Sequence, residues 1–564
     1  MLRGIGRLGP TSVVPRRQAE VVASEPPQGG KQLLLMAAAS LPIPAARAAA
    51  LGGLAYKWQV LICTVVGTFM VMLDQTVVNI ALPKITTVFN VGVHETQLVV
   101  TSYMLALAVI MPATGYLSDT FGTKRMYLIT MVLFTGGSLL CGLAWNNTSL
   151  VAFRVIQGLG GGMMMPLGMT MLFKAVPPQE RNTIMGFFGL PLMLAPVLGP
   201  TLGGYLVEYV DWRVIFTLNV PVGILGLFIG WRLLRESEHV HGLKFDLRGF
   251  VLSAVGFSAL LLAFTDAAFD GWTSPKIVLR FGIGFVALAL WIWVELTDEH
   301  PLLDLRLFKI PVFALSSLVN FIVTLGMFGS MLVLPLFLQN LRGLGAAETG
   351  FILIFQVLPM TIAMPVVGRL VDRVGARVML LIGLPLVALT TLQFAALDLS
   401  TTDATLRWWL LARGAAMGMV MMPAMTAGLN AVPLALMSRA SSMSNVMRQV
   451  FGAFGTAVVV TILQVRQIYH TAMLSQTVTP ENIPLQQLMG QMQQWAAANG
   501  FAAVQTQTMG MLAVARQVAQ AAAVMGFDDV FRVTAAVTLL ALLPAAFMRS
   551  DNKAPGGRPR IIAE

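Results

Sequence analysis

Asp74 and Arg154 are the prominent charged residues inside stretches that otherwise carry almost no charge. Asp74 interrupts the run from Lys57 to Lys84, and Arg154 interrupts the run near 148–172. An ionisable group within an apolar membrane span costs about 2.5–3.5 kcal/mol on insertion scales, so it usually has a task or a partner. Desolvation raises the pKa of a carboxyl group and a neighbouring cation lowers it. A carboxylate whose exposure changes can therefore take a proton from one side and release it to the other. The chemistry read from Asp74 is proton binding, with Arg154 tuning its affinity. The alternative is a structural pair locked with polar neighbours such as Gln75, Asn79 and Gln157.

Other chemistries find no footing. The chain has no HExxH, no GxSxG elbow and no P-loop. Its five histidines are scattered, and Cys63 and Cys141 both lie in apolar runs, which excludes a disulfide scaffold and a cysteine-based zinc site. Gly4-x-Gly6-x-x-Gly9 matches a dinucleotide fingerprint by letters alone, because no strand precedes it. No cofactor and no metal is expected.

The elements that must hold Asp74 and Arg154 follow from composition. Of 564 residues, 56% are hydrophobic and 11% charged, with a mean hydropathy of +0.76. That is less than half the charge of an average soluble protein. Water-soluble enzymes, nucleic-acid modules and disordered scaffolds are thereby improbable. A span needs about 20 apolar residues, and fourteen candidates are found: 57–84, 96–118, 126–147, 148–172, 182–207, 214–231, 249–265, 277–295, 310–338, 349–368, 378–397, 406–430, 446–465 and 531–548. An even number puts both termini on one side. Fifteen Lys and Arg, among them Arg439 and Arg448, then fall in internal loops, against six in short external ones. The positive-inside bias places both termini in the cytoplasm and accounts for the net charge of +11 without nucleic acid.

Three segments are not spans. Residues 1–56 read as a disordered cytoplasmic tail, within which Lys31 to Ala50 is too late and too proline-broken for a signal peptide. Residues 549–564 form a second cytoplasmic tail. Residues 467–528, with Met, Leu, Ala and Gln at helical spacing, read as an external amphipathic hairpin, the alternative being a polar linker.

The chain also repeats itself. Gly115-Tyr-Leu-Ser-Asp119-Thr-Phe-Gly122-Thr-Lys124-Arg125 returns as Gly368-Arg-Leu-Val-Asp372-Arg373-Val-Gly375-Ala-Arg377, 253 residues later. Arg154-x-x-x-Gly158 is echoed by Arg413-x-x-x-x-Gly418. The offset is eight spans, so spans 7 and 8 are inserted between two six-span halves, as in transporters that rock two bundles about a central site. The expected architecture is all-α: a bundle over 57–235, two inserted helices over 246–297, and a second bundle over 310–548 that includes the external helical loop 467–528.

On these residues the chain resembles the major facilitator superfamily, specifically the fourteen-span drug/proton antiporters of the EmrB/QacA type. Asp74-Gln-Thr-Val-Val-Asn79-Ile-Ala-Leu-Pro83 resembles the family's span-1 signature, Gly115–Arg125 its loop 2–3 motif, and Arg154-Val-Ile-Gln157-Gly158 its span-4 motif. Gly189 through Gly199-Pro200-x-x-Gly203-Gly204 resembles the antiporter motif of span 5. Trp212 to Gly223 and Val294 to Phe308 fit the start of span 6 and the linker before span 9.

The resemblance implies proton-coupled efflux of hydrophobic or cationic drugs and toxic compounds across the inner (cytoplasmic) membrane. Asp74 and Arg154 would couple the proton. Gly115, Asp119, Gly122, Lys124, Arg125, Asp372, Arg373 and Arg377 would latch the bundles. Gly189, Pro196, Gly199, Pro200, Gly203 and Gly204 would form the antiporter helix. Gln75, Asn79, Gln157, Met163, Arg413 and Met417 would line the substrate cavity. A periplasmic adaptor protein is implied if the host has two membranes. Competing readings are a same-fold exporter of an endogenous lipid, pigment or antibiotic and, from another class, a membrane scaffold or embedded enzyme.

Overall fold

The computed structural model describes residues 54–237, 242, 244–298, 301–477 and 503–548, with isolated residues between 487 and 499. Both tails, apart from Leu54 to Tyr56, and most of the interior of the external segment therefore lie outside the described residues.

Lipid offers no hydrogen bonds, so a spanning chain must satisfy its backbone internally. The described residues do so as helices, with no strand among them. Fourteen helices are long and apolar enough to cross a bilayer. They are α1 Tyr56–Phe89, α2 Val93–Ile110, α3 Thr123–Gly142, α4 Asn147–Ala175, α5 Pro178–Tyr209, α6 Val214–Leu233 and α7 Leu247–Asp270. The series continues with α8 Pro275–Thr297, α9 Pro311–Leu341, α10 Ala347–Val374, α11 Ala376–Ala396, α12 Asp403–Asn430, α13 Leu434–Gln476 and α14 Thr508–Phe547.

Glycine decides where helices approach. An added Cβ at Gly137 in α3 would lie 2.7 Å from the Gln157 backbone in α4, and one at Gly158 in α4 would lie 2.7 Å from the Ala106 side chain in α2. One at Gly186 in α5 would lie 2.6 Å from the Met364 carbonyl in α10. Such contacts leave no room for a larger residue, the usual means of close helix packing in membranes. α5 is not one rod: the helix divides at Gly189, between Arg181–Phe188 and Leu190–Tyr209.

The inserted pair is unequal. α7 packs along α13, with Phe264 and Phe454 ring centroids 5.2 Å apart and Trp272 donating Nε1–H to Thr461 Oγ1 at 2.7 Å. α8 packs on α7 through Gly256 against Leu288 and Gly284 against Leu260, while Phe285, Val286 and Trp293 remain exposed. In a bilayer that outer face meets lipid.

Two sequence expectations change here. Arg439, counted with the loops, lies inside α13 because the helix begins at Leu434 rather than at 446, and Arg448, also counted with the loops, lies deeper in the same helix. The arms of the external segment are extensions of α13 and α14. Arg466 Nε and His470 Nε2 on one meet Asp529 Oδ2 on the other, at 2.5 and 2.7 Å.

Candidate functional site

The two lone charges of the first half meet. Arg154 Nη1 on α4 donates to Asp74 Oδ2 on α1 at 2.6 Å, with the two side chains 1% and 0% exposed. Gln157, one turn along α4, accepts from Arg154 Nη1 at 2.8 Å and donates Nε2–H to Asp74 Oδ1 at 2.9 Å and to Ser138 Oγ at 3.0 Å. Asn219 on α6 reaches Ser138 Oγ at 3.1 Å and Asp74 Oδ1 at 3.4 Å. Arg154 Nε donates to the Val99 carbonyl at 3.2 Å, and its Cζ lies 3.9 Å from the Tyr103 ring centroid. Every element of the first half except α5 contributes a group.

α5 acts from behind. An added Cβ at Gly199 would lie 2.1 Å from Thr76 Oγ1, and one at Gly203 3.0 Å from Val77. Thr76 and Val77 follow Asp74 on α1, so these two glycines set the depth at which α1 presents its carboxylate. Gly204 meets nothing within 4 Å, and the side chain of Pro200 is outside the described set.

At the opposite end of α2 and α4 the repeated loops dock. Gly122 and Gly375, with φ of +90° and +86°, close the two turns in a backbone region that only glycine adopts freely. Asp119 Oδ2 accepts from Ser438 Oγ near the start of α13 at 2.6 Å. Asp372 accepts from Asn182 Nδ2 at 2.7 Å, Thr183 Oγ1 at 2.9 Å and Thr183 N–H at 3.3 Å, at the start of α5. Each carboxylate thus meets the N-terminal end of a helix in the opposite half, where the dipole and free N–H groups favour negative charge. An added Cβ at Gly115 would lie 3.2 Å from Arg439 Cα, and one at Gly368 2.4 Å from the Asn182 carbonyl.

Lys124 and Arg125 of the motif form no ion pair with Asp119. The Lys124 and Arg125 amides bind Glu236, at 3.0 and 3.1 Å, and Lys124 Nζ donates to the Trp231 carbonyl. Lys174 approaches Asp119 only to 4.0 Å. Burial pushes the Asp119 carboxyl above the usual carboxylate range, outweighing the Ser438 hydrogen bond and the Lys174 and Arg439 charges.

Between the halves lies a cavity of about 340 Å³, mostly apolar, in the parts of α1, α2, α7, α9 and α13 distant from the docked loops. Gln75, Thr101, Met104 and Phe264 line it, and Arg448 is the one charged residue on its described wall. Arg448 is hydrogen-bonded to Asn445 Oδ1 at 2.9 Å and approaches Met165 Sδ. Of the six cavity residues expected from sequence, Gln75 alone faces this space. Asn79 lines a neighbouring pocket at the end of α1, Gln157 belongs to the ion-pair network and Met163 is buried among apolar residues. Arg413 and Met417 line a separate small cavity in the second half. Ser138, Tyr103 and Arg448 were missed. Asn219 was visible as a polar residue in an apolar span and Arg448 as a charge within the run 446–465, whereas Ser138 and Tyr103 carried no distinguishing signal.

Residues 64–456 match the family model of the Major Facilitator Superfamily. The uncharacterised MFS-type transporter YhcA of Bacillus subtilis is 36% identical over 415 residues, 74% of this chain and 78% of that protein. The multidrug export protein EmrB of Haemophilus influenzae is 32% identical over 480 residues, 83% and 91% of the respective chains. Among solved structures, the human organic anion transporter MFSD10 superposes with a TM-score of 0.57 at 12% identity, covering 87% of this chain and 99% of that one.

Proposed function

We propose that this chain, which belongs to the major facilitator superfamily and within it to the multidrug efflux transporters of the EmrB/QacA type, expels amphipathic compounds across the inner membrane in exchange for protons. It is a transporter, not an enzyme, and a multi-pass membrane protein. The observation that carries proton coupling is the sealed Asp74–Arg154 pair beside the central cavity: Gln75, the next residue on α1, lines that cavity. Protonating Asp74 removes the charge that holds Arg154. In a water-poor site the guanidinium must then find other partners, which gives a proton leverage over how α1 and α4 sit.

The docked loops are the conformational latch in this reading. With Asp119 on α13 and Asp372 on α5, the cytoplasmic ends of the halves are held together and the cavity belongs to the external side. Opening the latch exposes the site to the cytoplasm for loading. Both termini remain cytoplasmic throughout.

The cavity narrows the cargo. It carries Arg448 and no carboxylate among its described lining, so neutral and anionic amphiphiles fit it better than the cations the family resemblance also allows. α13 and α14 rise past the membrane: their 43 and 40 residues at about 1.5 Å each reach roughly 60–65 Å, about twice a bilayer core. In a two-membrane host these arms are the surface for a periplasmic adaptor.

The deciding experiment is drug-induced proton movement in proteoliposomes. Addition of a transported amphiphile should drive protons across the membrane in the native protein and not in Asp74→Asn. Unchanged exchange in that variant removes Asp74 from the coupling.

A further inference from the structure

The eight-span offset pairs α1, α3, α4 and α6 with α9, α11, α12 and α14. In the first set Asp74, Ser138, Arg154 and Asn219 form the network described above. In the second set the corresponding place holds Gly326 and Met327 on α9, Thr391 on α11, Arg413 on α12, and Thr534 and Thr538 on α14. The numbering agrees with the geometry: Ser138 and Thr391 differ by 253, as do Asp74 and Met327, the spacing of the repeated loop motif. The arginine and hydroxyl positions are kept. The carboxylate is not.

Arg413 is therefore a buried cation without a counter-charge. It is 2% exposed, forms no ion pair with any described carboxylate, and its Nε and Nη1 are buried without a hydrogen-bond partner. Its Cζ lies 5.0 Å from the Phe394 ring centroid, a cation–π contact that supplies part of the missing stabilisation. Guanidinium does not deprotonate in proteins, so its charge persists. Beside it is a cavity of about 20 Å³ in which Thr391, Thr534 and Thr538 supply the hydroxyl-bearing walls. That volume admits one water or one monatomic ion, since about 10–15 Å³ suffices for a single probe-sized occupant. It excludes sulfate, gluconate and any substrate carboxylate.

We propose that the second half holds a small inorganic anion, chloride under cellular conditions, against Arg413 at the place where the first half holds the Asp74 carboxylate. The ion neutralises Arg413 and completes the four-helix junction of α9, α11, α12 and α14. One half then carries a covalently fixed counter-charge that a proton can cancel, and the other a mobile one that the proton does not reach. Of the two four-helix junctions, only that of the first half then carries a counter-charge that a proton can cancel.

The purified full chain in lipid nanodiscs tests this directly. Chloride-36 binding and thermal unfolding are measured in sodium chloride, bromide and gluconate at one ionic strength. Chloride and bromide should bind near one per chain and raise the unfolding midpoint above that in gluconate, with a dependence on halide concentration expected for binding to the folded state. Arg413→Gln should weaken chloride-36 binding about tenfold or more, a loss of about 1.4 kcal/mol or more. Met327→Asp supplies the missing carboxylate within the chain. It should stay folded in gluconate, no longer bind chloride-36, and lose the halide response. Equal midpoints in chloride and gluconate with no chloride-36 bound mean that water alone occupies the cavity and overturn the proposal. Full chloride binding in both Met327→Asp and Arg413→Gln places the ion elsewhere and overturns it equally.

Discussion

Arg154 Nη1 stands 2.6 Å from Asp74 Oδ2, and neither side chain has more than 1% of its surface exposed. Two charges from helices 80 residues apart in sequence are thus held as one neutral unit in the middle of a bundle. Removing one partner of a buried pair leaves an uncompensated charge and costs about 3–5 kcal/mol, whereas replacing both is far milder. Arg154→Gln and Asp74→Asn should each lower the unfolding midpoint in detergent. The double variant Asp74→Asn/Arg154→Gln should recover much of that loss while remaining inactive in proton exchange. Additive losses in the double variant would contradict direct coupling of the pair.

The docking of Asp119 on Ser438 should depend on pH. The Asp119 carboxyl, raised by burial against Ser438 and the start of α13, holds a proton more readily docked than when released into water. A group whose pKa is raised in the docked state favours docking when protonated. The docked fraction should thus be greatest at acid pH and fall as pH rises from the ordinary carboxylate value, about 3.9, through the raised one. A donor–acceptor dye pair on the loop 2–3 turn and the start of α13 reads this. Asp119→Asn should stay docked across the same range. A wild-type signal independent of pH would count against the desolvated carboxylate.

Glycines of the antiporter motif should separate sharply. Gly199→Ala sets a methyl 2.1 Å from Thr76 Oγ1 and displaces α1 at Asp74, a strain of about 1–3 kcal/mol. Gly204→Ala meets open space. Efflux from intact cells should fall in the first at similar membrane abundance and persist in the second. Equal behaviour of the two would mean that the motif does not work through contact with α1.

Arg448 should govern charge selection. Arg448→Gln removes the one charge on the described cavity wall. Transport of an anionic amphiphile should drop about tenfold, equivalent to about 1.4 kcal/mol, while a neutral analogue is spared and a cationic one improves. Measured export of all three probes from the same vesicles tests the direction. A uniform loss across them would assign Arg448 to packing.

How far the sequence reached follows from the range of each signal. Hydropathy is local, because a bilayer solvates each turn of helix independently of the rest. The fourteen spans and the isolation of Asp74 and Arg154 were legible for that reason, as were the echo of Arg154 in Arg413 and the duplication of the loop motif. Pairing is not local. Whether two lone charges meet depends on the rotation and depth of their helices, set here by contacts such as Gly137 on Gln157 and Gly199 on Thr76. Only the tertiary structure could therefore join Arg154 to Asp74 and leave Arg413 facing an ion-sized void. It also turned the motif's acidic residues away from their neighbouring bases. Asp119 and Asp372 meet helix starts in the opposite half, because backbone N–H groups and hydroxyls at a docked helix end compete well with solvated lysine and arginine side chains. Arg448, counted with the loops although it stands within the run 446–465, reached the cavity wall only when α13 was placed against α1, α2 and α7. Sequence determined which charges enter the membrane; packing decided which of them have partners there.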